Sequence, residues 1–325
     1  MSIEYLACGN IMSDRIEDKD GNLSEWNMGG PAFYALSGMR IWTENCKLVC
    51  KTGADYKDTY GKWMDANSVT RESVREELEE HTRYTLKYNH DGSFMATPSF
   101  SMEHLGYLKT HADDIDESAA GYQMKGMYMA QNMDEVVWNN LSKMKEKNGL
   151  KIMWEIEYIG SFYRAMGYSH ERVLDKVHKV LEVADAWSIN SNEAGDMFKL
   201  PKDDDAGIIN ELQKLPTAFT FYRVGSRGSY AVTPTNAYFC PVMEPFGPSV
   251  DPTGCGNCST GSAAYAHFAG EHPAMVAVMA NVAAGFNAAQ RGPYPLYTSE
   301  KMLLARKLAQ DSFEKMRAEQ KFQLS

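Results

Sequence analysis

The sequence has few cysteines and no long uninterrupted apolar run. Six cysteines among 325 residues are too sparse for the disulfide framework of a small secreted domain and are typical of a reducing compartment. The first residues show no secretory signal pattern. The longest apolar tract, 274–289, is interrupted by Asn281 and Asn287 and is too short and too polar to cross a bilayer. We therefore expect a cytoplasmic protein without a membrane partner.

Clusters of basic residues are also missing. The chain has 33 Lys and Arg against 43 Asp and Glu, which gives a formal net charge of −10. This balance removes the release of counterions that supplies most non-specific affinity for nucleic acids, so we expect no nucleic-acid partner. The hydrophobic share of 44% is ordinary for a globular protein with a large core.

Several enzyme signatures are absent. Gly61-Lys62 does not belong to a Walker loop, there is no HExxH motif, and the eight histidines show no metal-ligand spacing. Cys255 and Cys258 form a CxxC pair. A redox or zinc role for this pair stays open as a weaker alternative, because a structural zinc site needs two further ligands at matching spacing.

Strands and helices alternate from about residue 122 onward. Apolar strand patterns lie at 127–130, 150–156, 186–189 and 218–224, with helical patterns between them. This alternation predicts an α/β fold with a mostly parallel sheet, whose ligands bind at the carboxyl ends of the strands. Glu155 lies at one such end, where it either reaches a site or is simply solvated.

Two hairpin patterns precede this region. The first lies near 14–28 around Asp20-Gly21. The second lies near 82–101, where Tyr84, Leu86 and Tyr88 alternate with polar residues. The hairpins predict an accessory β-sheet, or alternatively an extension of the edge of the main sheet. If the apolar face of the second hairpin is exposed, it favours a homodimer.

The most informative segment is 251–257, with the sequence DPTGCGN. Two glycines stand immediately before a predicted helix, so their backbone N–H groups can approach an anion closely, and the helix N-terminus adds partial positive charge. The segment predicts a phosphate or oxyanion cradle. We expect the main-chain amides around Cys255 to face an open hollow.

This segment resembles the DTxGAGD signature of the ribokinase-like, or PfkB, carbohydrate kinases, with Pro252 shifting the threonine and Cys255 replacing alanine. Three further elements resemble the family in order and spacing. They are the di-glycine Gly29-Gly30 with the preceding segment 10–14, the NxxE motif at 190–193, and the TxGxxG turn, in which Arg223 replaces the threonine.

The resemblance implies a ribokinase-like three-layer α/β sandwich, with a central mostly parallel sheet, a small β lid from the two hairpins, and one domain over 1–325. It implies transfer of the γ-phosphoryl group of ATP to a hydroxyl of a sugar, sugar acid or nucleoside, with Mg²⁺. By this resemblance, Gly254, Cys255 and Gly256 form the anion hole. Asp14, Gly29, Gly30, Tyr34 and Glu155 bind the acceptor; Asn190, Gly225, Gly228 and Asn281 bind the nucleotide; Glu193 holds Mg²⁺ through water; and Asp251 helps to bind a monovalent cation such as K⁺.

Asn257 departs from the family pattern, which assigns the general base to an aspartate at this position. An amide is not a useful base near neutral pH, and losing base assistance typically lowers a rate by roughly 10² to 10⁴. Three explanations stay open: an engineered substitution, a protein that binds sugar or nucleotide without turnover, or a replacement base such as Asp14 or Glu155. A second departure is Tyr34, where many members have asparagine; it predicts a flatter acceptor, or simply packs in the core.

Overall fold

The computed structural model describes residues 2–18, 20–88, 94–130, 133–156 and 167–319. Within these ranges the strands are β1 (Tyr5–Cys8), β2 (Met12–Glu17), β3 (Asn27–Gly29), β4 (Cys46–Gly53), β5 (Val74–Leu78), β6 (Arg83–Tyr88), β7 (Phe94–Pro98), β8 (Gly126–Ala130), β9 (Ile152–Glu155), β10 (Ala186–Asn190), β11 (Phe219–Arg223), β12 (Gly228–Val232) and β13 (Ala237–Pro241).

The helices in the same ranges are α1 (Pro31–Arg40), α2 (Tyr56–Ala66), α3 (Met102–Tyr107), α4 (Ala112–Ala119), α5 (Glu135–Asn148), α6 (His170–Leu181), α7 (Ser191–Phe198), α8 (Asp205–Leu212), α9 (Cys255–Phe268), α10 (Pro273–Ala288) and α11 (Ser299–Ala318). The sequence pattern predicts a terminal amphipathic helix over 300–322, and the end of that range lies outside the described residues. No helix in the described ranges is both long enough and apolar enough to cross a membrane.

Nine strands form the central sheet in the order β13-β12-β11-β10-β9-β8-β1-β4-β5. All neighbours pair in parallel except at one edge, where β12 and β13 are antiparallel. Helices α1, α2, α9, α10 and α11 contribute to the apolar core on one side, and α4 to α8 contribute to the core on the other. The prediction of a three-layer α/β sandwich is confirmed, while the antiparallel edge was not foreseen.

Local sequence explains why the flanking helices face the sheet as they do. In α6, Val173, Val177, Val180 and Leu181 are buried on one side, and Ser169 caps the first turn by accepting a hydrogen bond from the N–H of Arg172. In contrast, α9 is buried on nearly all sides from Cys258 onward. A helix surrounded in this way has a fixed N-terminus, and the N-terminus of α9 lies at the carboxyl edge of the sheet.

The two hairpins form a separate four-stranded sheet, which we call the small sheet, in the order β3-β2-β6-β7. Each hairpin is antiparallel, and β2 and β6 join them in parallel. The small sheet was one of two alternatives, and the extension of the main edge is therefore wrong. Leu86, part of the predicted dimer face, is only 8% exposed; dimerisation stays a prediction.

A cluster around Asp55 ties the small sheet to the main body. The carboxylate of Asp55, which precedes α2, accepts hydrogen bonds from the His81 backbone N–H at 2.6 Å and from the Arg83 guanidinium at 2.5 Å. The His81 ring in turn contacts the hydroxyl of Ser13 on β2 at 2.6 Å. Burial lowers the pKa of His81 although Asp55 acts in the opposite direction.

Candidate active site

Three polar side chains lie at the ends of three neighbouring parallel strands. Glu155 ends β9, Asn190 ends β10 and Arg223 ends β11. The strand register places Asn190 beside Arg223, and Ser188 beside Glu155. Because the carboxyl ends of parallel strands share one edge, this is where an α/β sheet binds ligands.

The N-terminus of α9 faces the same edge. Cys255 begins the helix, but its N–H already donates to the carbonyl of Pro252 at 3.1 Å. The next two N–H groups, of Gly256 and Asn257, have no acceptor among the described residues, as is usual for the first turn of a helix. The start of α9 therefore has two N–H groups without an acceptor in the described residues, and the amide of Cys255 is not one of them; the phosphate cradle stays a prediction.

A cleft of about 400 Å³ opens beside this helix end; we call it the large cleft. It brings together Asn190, Gly225, Gly228 and Asn281, the four residues predicted to bind a nucleotide, with Cys255, Gly256 and Arg223. Asn281 is held by hydrogen bonds from its amide to the Ser229 hydroxyl at 2.6 Å and the Ala277 carbonyl at 2.8 Å. The volume falls in the range of small-molecule and cofactor sites.

A second cavity, the small pocket, measures only about 30 Å³, which leaves room for little more than ordered water. Its lining includes Asp14, Tyr34 and Asp251, together with Leu86 of the small sheet and Arg291. No described residue donates a hydrogen bond to the Asp14 carboxylate, and burial raises its pKa to about 7. Gly29 packs directly against this carboxylate, and Gly30 precedes α1 as its cap residue.

Tyr34 separates the small pocket from the start of α9. Its ring is 3% exposed and lies against Gly254, where a Cβ would overlap the ring carbons. Gly254 also has a φ of 76°, which residues other than glycine adopt at an energetic cost. Glycine at 254 thus accommodates the tyrosine and the turn, and Gly254 itself is not among the residues lining the large cleft.

Asn257 belongs to a buried polar network. Its amide nitrogen donates to Glu155 Oε2 at 3.0 Å, and the Tyr128 hydroxyl donates to the same oxygen at 2.5 Å. Arg223 forms an ion pair with Glu155 Oε1 at 2.8 Å. Burial, and then the charge of Glu155, raise the pKa of Tyr128. Glu155 is 3% exposed and bound by three donors.

The candidate cation residues have partners within the protein. Glu193 Oε2 accepts a hydrogen bond from the Asn190 backbone at 2.8 Å, Asn190 Oδ1 accepts one from the Glu193 backbone at 3.0 Å, and Arg223 lies 3.8 Å from Glu193. Asp251 Oδ1 accepts from the N–H of Thr253 at 2.9 Å. The described residues contain no group of three potential metal ligands. Mg²⁺ is commonly held by one or two carboxylates, waters and substrate phosphates, and Glu193 fits that water-mediated role.

The two cysteines of the CxxC pair do not have the environment of reactive thiols. Cys258 is 1% exposed and donates to the carbonyl of Ala283 at 3.5 Å, while Cys255 donates to the carbonyl of Ala284 at 3.6 Å. Burial raises the pKa of both thiols, which disfavours the thiolate that redox chemistry needs. This environment argues against the redox alternative.

Sequence reasoning noticed Arg223 only as a departure and gave it no role, and it overlooked Tyr128 entirely. The position of Arg223 at a strand end, two residues before Gly225, was a usable signal. No sequence signal marked Tyr128, because it reads as one of five buried residues of β8.

The sequence matches a family model, and the fold matches solved structures of kinases. A family model described as pfkB family carbohydrate kinase matches residues 29–299. Ribokinase from Giardia lamblia aligns with a TM-score of 0.73 and 17% identity, over 94% of this chain and 100% of that one. Such an identity shows the shared fold alone.

Two further solved structures share the fold. Burkholderia thailandensis nucleoside kinase, in complex with inosine, aligns with a TM-score of 0.70 and 15% identity over 95% of this chain and 98% of that one. An E. coli protein described as a ribokinase II, in complex with ATP and Mg²⁺, aligns with a TM-score of 0.72 and 16% identity over 95% of this chain and 99% of that one. No curated protein matches the sequence.

Proposed function

Because this chain belongs to the pfkB family of carbohydrate kinases, we propose that it transfers the γ-phosphoryl group of ATP to a hydroxyl of a sugar, sugar acid or nucleoside. One observation carries the proposal: a 400 Å³ cleft that ends on a helix N-terminus with two free N–H groups, beside an arginine. Phosphoryl transfer depends chiefly on positioning and on stabilising charge at the phosphate oxygens, and these groups supply both.

The chemistry of the large cleft suits ATP, and its volume lies in the range of cofactor sites. The N–H groups of Gly256 and Asn257 would hold the terminal phosphates. Gly225, Gly228 and Asn281 would border the rest of the nucleotide. Mg²⁺, when bound, would neutralise phosphate charge, with Glu193 as its water-mediated partner on the protein, and Asp251 is our proposed contact for a monovalent cation.

The small pocket is the proposed acceptor site. The Asp14 carboxylate has no described donor, so an acceptor hydroxyl would satisfy it. Gly29 and Gly30 would shape the pocket beside Asp14, and Tyr34 would pack against the acceptor. At about 30 Å³ the pocket does not admit a sugar ring, so we propose that the small sheet acts as a lid that moves away from the main body before the acceptor enters.

The proton of the acceptor hydroxyl must leave as its oxygen bonds to phosphorus and the bond to the β-phosphate oxygen breaks, releasing ADP. Asn257 cannot take this proton. Of the two carboxylates considered as replacements, Glu155 is bound by three donors, whereas Asp14 is unpaired and its pKa is raised by burial to about 7. A pKa near the working pH is the value expected of a general base, so we assign the proton to Asp14.

A second candidate function is nucleotide binding without turnover. The neutral Asn257, fixed by its hydrogen bond to Glu155, and the closed small pocket favour it. In that case the large cleft would bind ATP and no acceptor would be phosphorylated.

One experiment separates the two candidate functions. It measures ATP binding by calorimetry, and it measures ADP release over a panel of pentoses, hexoses, sugar acids and nucleosides. It uses the unmodified chain, Asn257→Asp, and the double variant Asn257→Asp/Glu155→Gln. The double variant matters because the Asn257 amide lies 3.0 Å from the Glu155 carboxylate. An aspartate at 257 would place a second carboxylate at about that distance, and two carboxylates so close resist ionising together.

Acceptor-dependent ADP release by the unmodified chain would support the kinase, and a gain of at least roughly tenfold in the double variant would show that the base position limits the rate. ATP binding with no release in any of the three proteins would favour the binding protein. Lack of ATP binding by the unmodified chain would contradict both.

A further inference from the structure

Arg223 occupies an electrostatically unfavourable place. Its guanidinium lies so close to Gly256 that a Cβ there would overlap Nη1. Gly256 is the second residue of α9, and the N-terminus of a helix carries partial positive charge that repels cations. The side chain is only 14% exposed. A buried cation at this end of a helix needs a compensating anion.

Glu155 provides only part of that compensation. It binds one guanidinium nitrogen, Nη2, at 2.8 Å, and Glu193 lies 3.8 Å from the same nitrogen. An arginine has five N–H donors, and Nε of Arg223 is buried without a hydrogen-bond partner in the described residues. The Glu155 carboxylate meanwhile shares its charge with the donors Asn257 and Tyr128. The guanidinium therefore retains unused donors and positive charge beside the large cleft.

We propose that Arg223 binds the terminal phosphates of the nucleotide, together with the free N–H groups of Gly256 and Asn257. The three converge on one end of the large cleft, which Arg223 and Gly256 both line. A guanidinium matches the oxygens of a phosphate group in two parallel hydrogen bonds. The arginine that replaces the threonine of the TxGxxG turn is thus a specificity residue that favours phosphorylated nucleotides over nucleosides. This inference rests on the proposed function.

The same geometry connects the two departures from the family motif. Glu155 holds Arg223 with one oxygen and Asn257 with the other. A neutral amide at 257 adds no second negative charge beside Glu155, whereas an aspartate there would place two carboxylates about 3.0 Å apart. We therefore treat Arg223 and Asn257 as one unit joined by Glu155.

Calorimetric titration of the full chain with ATP, ADP and adenosine tests the proposal. Arg223→Thr should weaken ATP and ADP by at least about tenfold, the size of a lost charge-assisted pair, and leave adenosine within about twofold. The ATP and ADP affinities of Arg223→Lys should fall between those of the unmodified chain and those of Arg223→Thr. The matched control is Arg227→Thr: Arg227 lies four residues away and pairs with Asp205 at 2.9 Å, so its removal should leave all three affinities within about twofold.

Arg223→Thr leaves Glu155 buried without its cation, so Arg223→Thr/Glu155→Gln is measured beside it to remove that charge. If adenosine still binds and both variants bind ATP as tightly as Arg227→Thr, Arg223 does not hold the phosphates and the inference is overturned, while the proposed function survives. If the unmodified chain binds adenosine but not ATP, or neither, the proposed function fails and the inference fails with it.

Discussion

The large cleft and the small pocket lie on either side of the first turn of α9 and differ more than tenfold in volume, about 400 against 30 Å³. The large cleft is bordered by the turn at Gly225 and Gly228, the end of β10 and the start of α9, with Arg223 among its lining residues. The small pocket is filled by side chains, chiefly Tyr34 and Leu86.

This difference shows where selectivity is encoded. A cleft that presents a glycine turn, a helix N-terminus and an arginine recognises features that every nucleoside triphosphate shares. A pocket filled by side chains recognises one shape, and its residues come from elements as far apart as β2, β6 and the segment after α10. The choice of acceptor must therefore depend on how Tyr34 and the small sheet rearrange when the pocket opens.

The largest effect is expected from Gly254→Ala, at the boundary between the two cavities. The new Cβ would overlap the Tyr34 ring, and φ of 76° is unfavourable for alanine, so we expect a loss of about 2 to 5 kcal/mol in the free energy of unfolding. Gly270→Ala is the control, since φ there is 87° but no atom lies near the added Cβ. Urea denaturation of both variants would measure the difference, and equal losses would refute the contact with Tyr34.

A bulky side chain in the large cleft should reduce its volume and weaken nucleotide binding. Ala284 lines the cleft from α10, and Ala284→Phe would place a ring in the space that we assign to the nucleotide. We expect ATP and adenosine affinities to fall together by at least about tenfold, while Ala284→Ser binds normally. Calorimetry checks this; an affinity for ATP unchanged in the phenylalanine variant would show that the nucleotide binds elsewhere.

Asp14→Asn should sharpen the comparison through pH. Burial raises the pKa of Asp14 from 3.8 to about 7, so its ionisation opposes folding: the cost is absent below about pH 4, grows between 4 and 7, and is complete above 7. The asparagine variant should melt a few degrees higher at pH 8, with the difference vanishing near pH 4. Thermal scans across this range test it, and a constant difference at all pH values would mean that Asp14 is not the group responsible.

The smallest effect is expected from Cys255→Ala. The thiol donates only a weak hydrogen bond to the Ala284 carbonyl, and its pKa is raised by burial, so ATP affinity should change by less than about twofold. Treatment of the unmodified chain with N-ethylmaleimide should likewise leave ATP binding intact over an hour. Loss of binding on alkylation, prevented by Cys255→Ala, would instead support regulation by thiol oxidation.

Sequence patterns predicted the elements of this fold well because they depend on local periodicity. The strands ending at Glu155, Asn190 and Arg223 follow from apolar runs, and the start of α9 follows from the glycines around Cys255. Both hairpins were found, but not that β2 and β6 would pair in parallel, since pairing across about 70 residues leaves no local signal.

The chemistry of the site was harder to predict because it depends on contacts between distant residues. The sequence motif predicted that Gly254 would contact a phosphate, whereas in the structure it lies against the ring of Tyr34. It also treated Arg223 and Asn257 as separate departures, although Glu155 joins them. Both cases involve the direction of a side chain, which motif spacing does not determine.

The parallel pairing of β2 with β6 also constrains how the protein assembles. The chain between these strands includes α1, β4, α2 and β5 of the main body, so the small sheet cannot close until that whole stretch has been brought into place. Closing such a long loop costs entropy before any contact compensates for it. We therefore expect the small sheet to form late in folding and to have no existence as an isolated fragment, and we propose that it folds with the main body as one cooperative domain.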